Sequence, residues 1–122
     1  MTAALALSLA ANVGVLYPLI APWIGAIGAF MTGSNTNSNV VFAALQLRTA
    51  TLLGYDAEVI LAAQTAGAAV ASIMAPTKVV VGASTGGMAG REGEVMRKLA
   101  VYTALLLLLL SIFAAIGVWL VN

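Results

Sequence analysis

The chain has 122 residues, of which 62% are hydrophobic and only 7% charged, against the roughly 25% charged residues of a soluble domain. Its mean hydropathy of +1.08 and net charge of +1 place it in a membrane and give nucleic acid no basic surface to bind. With no Cys and no His, thiol chemistry, disulfides and the commonest general base and metal ligand are all excluded.

Residues 2–16 are rich in Ala and Leu and carry no charge. No basic segment precedes them and apolar sequence continues past them, which is not the layout of a signal peptide. Fifteen residues make about 22 Å of helix against a hydrocarbon core of about 30 Å. We therefore expect a shortened transmembrane helix, belonging either to the C-terminal piece of a longer protein or to a unit that must oligomerise.

The next block, residues 17–47, holds the most unusual feature of the chain. Gly33, Ser34, Asn35, Thr36, Asn37, Ser38 and Asn39 form a polar run inside a stretch with no charge before Arg48. Amides and hydroxyls at such a depth cost several kcal/mol unless they are paired or line a cavity. Pro18 suits a helix start. The apolar arms on either side, residues 22–31 and 40–47, are too short to span. This layout predicts a re-entrant helical hairpin with its tip at 33–39, the alternative being a loop between two ordinary spans. Ser34, Asn35, Thr36 and Asn37 are candidate binding residues, their oxygens and amides suiting a cation or a carboxylate. Asn39, with Asn37 as a second candidate, reads as a cap of the second arm.

A solvated connection is expected at 48–57, where Arg48, Asp56 and Gly54 fall. Residues 58–90 then read as a discontinuous helix. Ala63, Gly67 and Ala71 recur at helical spacing, which permits close approach of helices in lipid, and the polar pair Gln64 and Thr65 suits bonds to a neighbouring helix. Pro76 breaks this helix, and Thr77, Lys78 and the hydroxyls of Ser84 and Thr85 follow. Transporters place such breaks at substrate sites, so Lys78, Ser84 and Thr85 join the candidate set. Lys78 has three readings: a counter-ion for a carboxylate, a side chain reaching the interface, or a partner for an acid elsewhere. Gly82, Gly86 and Gly90 stand four apart and equally describe a packing face. A phosphate loop is excluded because no Lys-Ser/Thr pair follows Gly87.

Arg91, Glu92, Glu94, Arg97 and Lys98 form a charged loop whose Glu92 and Glu94 suit the start of the helix that carries Arg97 and Lys98, and residues 99–121 are 23 residues without charge, including six consecutive leucines at 105–110. About 34 Å of helix crosses a bilayer with some tilt. The cationic flank predicts a cytoplasmic loop, Asn122 outside, and a hairpin that opens outward with its tip near the midplane. The fold class is thus an all-α integral membrane protein: transmembrane helices, a re-entrant hairpin and a Pro/Gly-broken helix. No carboxylate pair, nucleophile–base set or metal-ligand spacing supports an enzyme, and no cofactor is expected.

The run from Gly28 through Ser34-Asn35-Thr36 to Asn39, the segment Met74-Ala75-Pro76-Thr77-Lys78-Val79, and Gly90-Arg91-Glu92-Gly93-Glu94 resemble, in that order, landmarks of the L-lactate permease family. The resemblance covers nearly the whole chain, as the C-terminal portion of a longer permease. It implies uptake of L-lactate, with D-lactate and glycolate in some members, by proton symport across the bacterial inner membrane. It also implies one part of an inverted-repeat transporter whose N-terminal partner lies outside this chain, with Ser34, Asn35 and Thr36 lining the site opposite the break at 76–85. The coupling ion stays open between H⁺ and Na⁺. The rival reading is a small accessory or structural membrane subunit whose glycines and Asn/Ser cluster serve helix association.

Overall fold

A computed structural model describes all 122 residues as helices joined by short turns, with no strand. The helices are α1 (Thr2–Val13), α2 (Tyr17–Thr32), α3 (Asn35–Leu53), α4 (Ala57–Ala71), α5 (Pro76–Thr85) and α6 (Glu92–Val121). Single turns of 3₁₀ helix at Gly14–Leu16 and Ser72–Met74 follow α1 and α4. Three helical stretches are long and apolar enough to cross a membrane: Thr2–Thr32, Ala57–Met74 and Glu92–Val121. The protein is an all-α membrane protein.

Local sequence accounts for the boundaries. Gly14, at φ 51° and ψ −121°, ends α1 and turns the chain so that α1 lies mainly against α3. Pro18 sits in the first turn of α2, where its missing N–H costs nothing. Gly33 closes α2 at φ 70°, its N–H donating to the Ala29 carbonyl at 2.8 Å. Asp56 opens α4, its carboxylate accepting the Val59 N–H at 3.0 Å.

The hairpin α2–α3 and the returning α4 form the centre of the bundle, and the contact of α2 with α4 is the most extensive of all. Glycines make it possible. A Cβ on Gly25 would lie 2.1 Å from the Gln64 carbonyl oxygen, and one on Gly67 only 2.0 Å from that of Pro22. The two backbones therefore touch at two points about one turn apart, the close packing that small residues allow in lipid. α6 lies along α2 and α4. The Trp23 indole N–H donates to Ser111 at 3.0 Å, and Ser111 donates to the Leu19 carbonyl at 2.7 Å. At its C-terminal end the Asn122 amide donates to the Gly54 carbonyl at 2.8 Å and accepts the Asp56 N–H at 3.1 Å, which ties α6 to the α3–α4 turn.

Two boundaries differ from the sequence reading. The hairpin arms are not half-length: α2 has 16 residues and α3 19, about 24 and 28 Å. Pro22 is accommodated inside α2, and α3 continues beyond Leu47 through Arg48 to Leu53 because no breaker precedes Gly54. The longer arms carry the tip further than half-way along α6. Phe30 and Met74 line one cavity with Ala100 and Thr103, at the onset of the charge-free stretch rather than its middle. Helix α6 itself starts seven residues earlier than that stretch, at Glu92. Arg91 and Lys98 there pair with Glu94 at 2.7 and 3.7 Å, exposed bridges of little energetic weight.

Thr103 faces the centre of the bundle, 3% exposed, and its hydroxyl has no hydrogen-bond partner. Replacing it with the isosteric Val removes an unsatisfied group at no cost in volume. We expect Thr103→Val to leave the thermal stability of the detergent-solubilised protein unchanged, or to raise it by up to about 1 kcal/mol. A clear loss of stability in that assay would mean that the hydroxyl holds a bond.

Candidate functional site

The polar run divides into a two-residue turn and the first turn of a helix. Only Gly33 and Ser34 are non-helical, and Asn35–Leu53 is helix throughout. Ser34 is extended, at φ −142° and ψ 127°, and its hydroxyl oxygen accepts the Asn37 N–H at 3.2 Å. Ser34 is therefore the N-cap of α3, and neither Asn37 nor Asn39 caps that arm. The Ser34 O–H remains free to donate. Thr32 braces the turn, donating to the Gly28 carbonyl at 2.8 Å and accepting the Ser34 N–H at 3.3 Å.

The tip abuts the break between α4 and α5. A Cβ built on Gly33 would meet the Thr77 hydroxyl at 3.3 Å and the Ala75 side chain at 3.7 Å. Ala75 is extended, at ψ 135°, and Pro76 starts α5. The start of α5 is thereby placed against the turn that leads into α3. Each helix start carries N–H groups without intrahelical partners and about half a positive charge. Two such ends so placed, with hydroxyls from Ser34 and Thr77 beside them, make an environment suited to a small anion.

Asn35 is partly buried and Thr36 and Asn37 are exposed, all on the first turn of α3. Lys78 is exposed, next to Thr77, and takes part in no salt bridge. A cation in the first turn of a helix opposes the local dipole, so Lys78 adds to the positive potential at the junction. Ser84 and Thr85 do not reach it. They lie at the other end of α5, about 12 Å along the axis from Thr77, and donate back to the carbonyls of Val80 and Val81 at 2.8 and 3.0 Å. Gly82 meets no other group within 4 Å, so its helix face is not a packing seam within this chain.

Beneath the tip lies a polar layer that composition alone conceals. Ser38, Gln46 and Gln64 are fully buried. Ser38 donates to the Gly25 carbonyl at 2.7 Å, and the Gln46 amide donates to the Ala21 carbonyl at 3.0 Å and to Gln64 Oε1 at 2.8 Å. Asn39 Oδ1 accepts from Gln64 and Thr65, each at 3.4 Å. Thr77, Ser38 and Gln46 were not among the residues singled out from sequence. Ser38 stood inside the polar run and Thr77 beside Lys78, whereas Gln46 was hidden in an arm read as apolar.

The family model for L-lactate permease matches residues 1–121. The chain is 38% identical over 97 residues to the glycolate permease GlcA of Escherichia coli K12, covering 80% of this chain and 17% of that protein. It is 31% identical over 106 residues to the L-lactate permease of Halalkalibacterium halodurans, with 87% and 20% covered. With the L-lactate permease of Bacillus subtilis it shares 32% identity over 112 residues, with 92% and 20% covered. The chain thus spans a fifth or less of the length of these relatives. No solved structure matches it.

Proposed function

This chain belongs to the L-lactate permease family, and we propose that it forms part of a multi-pass secondary transporter in the bacterial inner membrane. Its substrates are 2-hydroxy monocarboxylates such as lactate and glycolate, taken up with a proton. The relatives are named as lactate and glycolate permeases, which supports the substrate class. The observation that supports the reading is the approach of Gly33 to Thr77 and Ala75, which sets the start of α5 beside the turn leading into Ser34, Asn35 and Thr36.

In this proposal the substrate carboxylate sits at that junction, held by the N–H groups of α3 and α5 and by Ser34, Asn35, Thr36 and Thr77. Asn37 lies at the mouth, and Lys78 contributes favourable potential from the exposed side of α5. Ser84 and Thr85 serve their own helix. The hairpin α2–α3 enters and leaves on one side of the membrane. Support comes from α3, which at 19 residues is long enough but not apolar enough to qualify as a span. It therefore needs protein rather than lipid around its polar face. Transport follows from rocking of this unit against the remaining part of the permease, in the manner of inverted-repeat transporters.

Uptake of labelled lactate into vesicles bearing the intact permease tests this. We expect accumulation driven by an inward proton gradient without Na⁺, and a fall of about 10- to 100-fold in kcat/KM for Asn35→Ala, since bonds to charged groups contribute about 1.5–3 kcal/mol. Lys78→Gln should raise KM more modestly. Unchanged apparent affinity in both variants would remove the tip from the substrate site.

A further inference from the structure

The buried and half-buried polar side chains beneath the tip form a single directed chain of hydrogen bonds that ends at Asn35. The Tyr17 hydroxyl donates to Gln46 Oε1. Gln46 Nε2 donates to Gln64 Oε1 at 2.8 Å, Gln64 Nε2 to Asn39 Oδ1 at 3.4 Å, and Asn39 Nδ2 to Asn35 Oδ1 at 3.5 Å. Gln46, Gln64 and Asn39 each take a bond on the oxygen and pass one from the nitrogen.

The direction is dictated by groups that cannot reverse. An amide side chain can be turned end for end with little change of shape, so its orientation follows from its partners. Gln46 Nε2 faces the Ala21 carbonyl, which only accepts, so the nitrogen must stand on that side. Gln64 Nε2 faces the Ser38 carbonyl at 3.5 Å, and the same argument fixes it. With Gln64 presenting N–H to Asn39, Asn39 must present oxygen there and nitrogen to Asn35. Asn35 must then turn its oxygen toward Asn39, which leaves its NH₂ group free to donate to a ligand at the tip.

We propose that Gln64 and Asn39 are positioning residues that lock Asn35 as a hydrogen-bond donor and so select a carboxylate over its neutral amide counterpart. The inference rests on the substrate reading above and deepens it. A carboxylate offers only acceptors, whereas an amide brings donors as well, and an Asn35 free to rotate would serve either. The bonds in the chain also polarise one another, which strengthens the terminal N–H as a donor.

The test is competition against labelled lactate uptake by the intact permease, with unlabelled lactate and lactamide as inhibitors. In the wild type lactate should compete far better than lactamide. Gln64→Met and Asn39→Ala should each lower that preference about tenfold, the order expected for one bond to a charged group. The double variant should lower it no further, because both changes release the same amide. Ser111→Ala, which removes a buried polar group that bonds only Trp23, Leu19 and Leu107, should leave the preference intact whatever it does to protein yield. A preference unmoved in Asn39→Ala, a near-surface change that folding tolerates, would overturn the positioning role. So would losses in the two single variants that simply multiply in the double. If the wild type takes up no lactate or glycolate at all, the substrate reading fails, and the carboxylate role of Asn35 with it.

Discussion

Gly67→Ala will pull the bundle apart. A methyl group at that position would stand 2.0 Å from the Pro22 carbonyl oxygen and 2.7 Å from its Cα, and the reciprocal change Gly25→Ala would stand 2.1 Å from the Gln64 carbonyl. Overpacking among flexible side chains costs about 1–3 kcal/mol. Here the obstacle is backbone, which yields only if α2 and α4 separate and their whole contact is lost. We expect a cost of about 3 kcal/mol or more, read as a lower melting temperature and a loss of monodisperse protein in detergent. Gly82→Ala is the matched control. That helix position has nothing within 4 Å, so the change should be neutral or stabilising by up to about 1 kcal/mol through helix propensity. Equal melting of the two variants would show that the helices do not approach so closely.

The same crossing shows what could be read in the sequence. Ala63, Gly67 and Ala71 were legible as a close-packing face because small residues four apart have few other uses in lipid. The partner surface on α2 was harder to see, since the apolar arm was counted from Pro22, a residue that interrupts helices by ordinary rules, whereas it lies within the helix with its carbonyl against Gly67. Helix α6 was legible because 23 residues without charge admit one interpretation, and its start at Glu92 was legible from the acidic pair ahead of Arg97 and Lys98. The tip was found from its polarity, but its local form depended on Ser34. Once that residue caps α3, the asparagines that follow become a helical turn, whereas residue counting treated all seven as a loop.

Gln46 went unread, and the burial of Ser38 with it, for a deeper reason. In water the buried positions are the large apolar ones. Here Leu105, Leu108, Phe113 and Trp119 are exposed, while Ala21, Ala29, Ala50 and Ala68, together with Ser38, Thr49, Gln46 and Gln64, are fully buried. Lipid supplies no hydrophobic force to draw leucines inward, so close packing of small residues and internal hydrogen bonds take over. Counting hydrophobic residues therefore locates the spans but says little about which residues face one another. The candidate site followed from the polar and broken segments. The layer that orients it did not.

That layer supplies the second large effect. Gln46→Leu keeps the approximate volume of the side chain but deletes all of its bonds. The Tyr17 hydroxyl and Gln64 Oε1 would be left without their partners in a region with no water access. A buried group deprived of its bond costs about 1–3 kcal/mol, so two of them predict a loss of about 2–6 kcal/mol in the same melting assay. Adding Tyr17→Phe should then recover part of that loss, because it removes one of the two orphaned groups. The recovery should be about 1 kcal/mol, in line with coupling energies of up to about 1.7 kcal/mol between side chains in membrane bundles. Strict additivity of the two changes would mean that Tyr17 and Gln46 are not bonded to each other. Gln46→Leu also separates stability from selectivity. Gln64 Nε2 keeps the Ser38 carbonyl and Asn39 Oδ1 as acceptors in that variant, so the amide at Asn35 stays aligned. The preference for lactate over lactamide should survive in whatever fraction folds, in contrast to Gln64→Met.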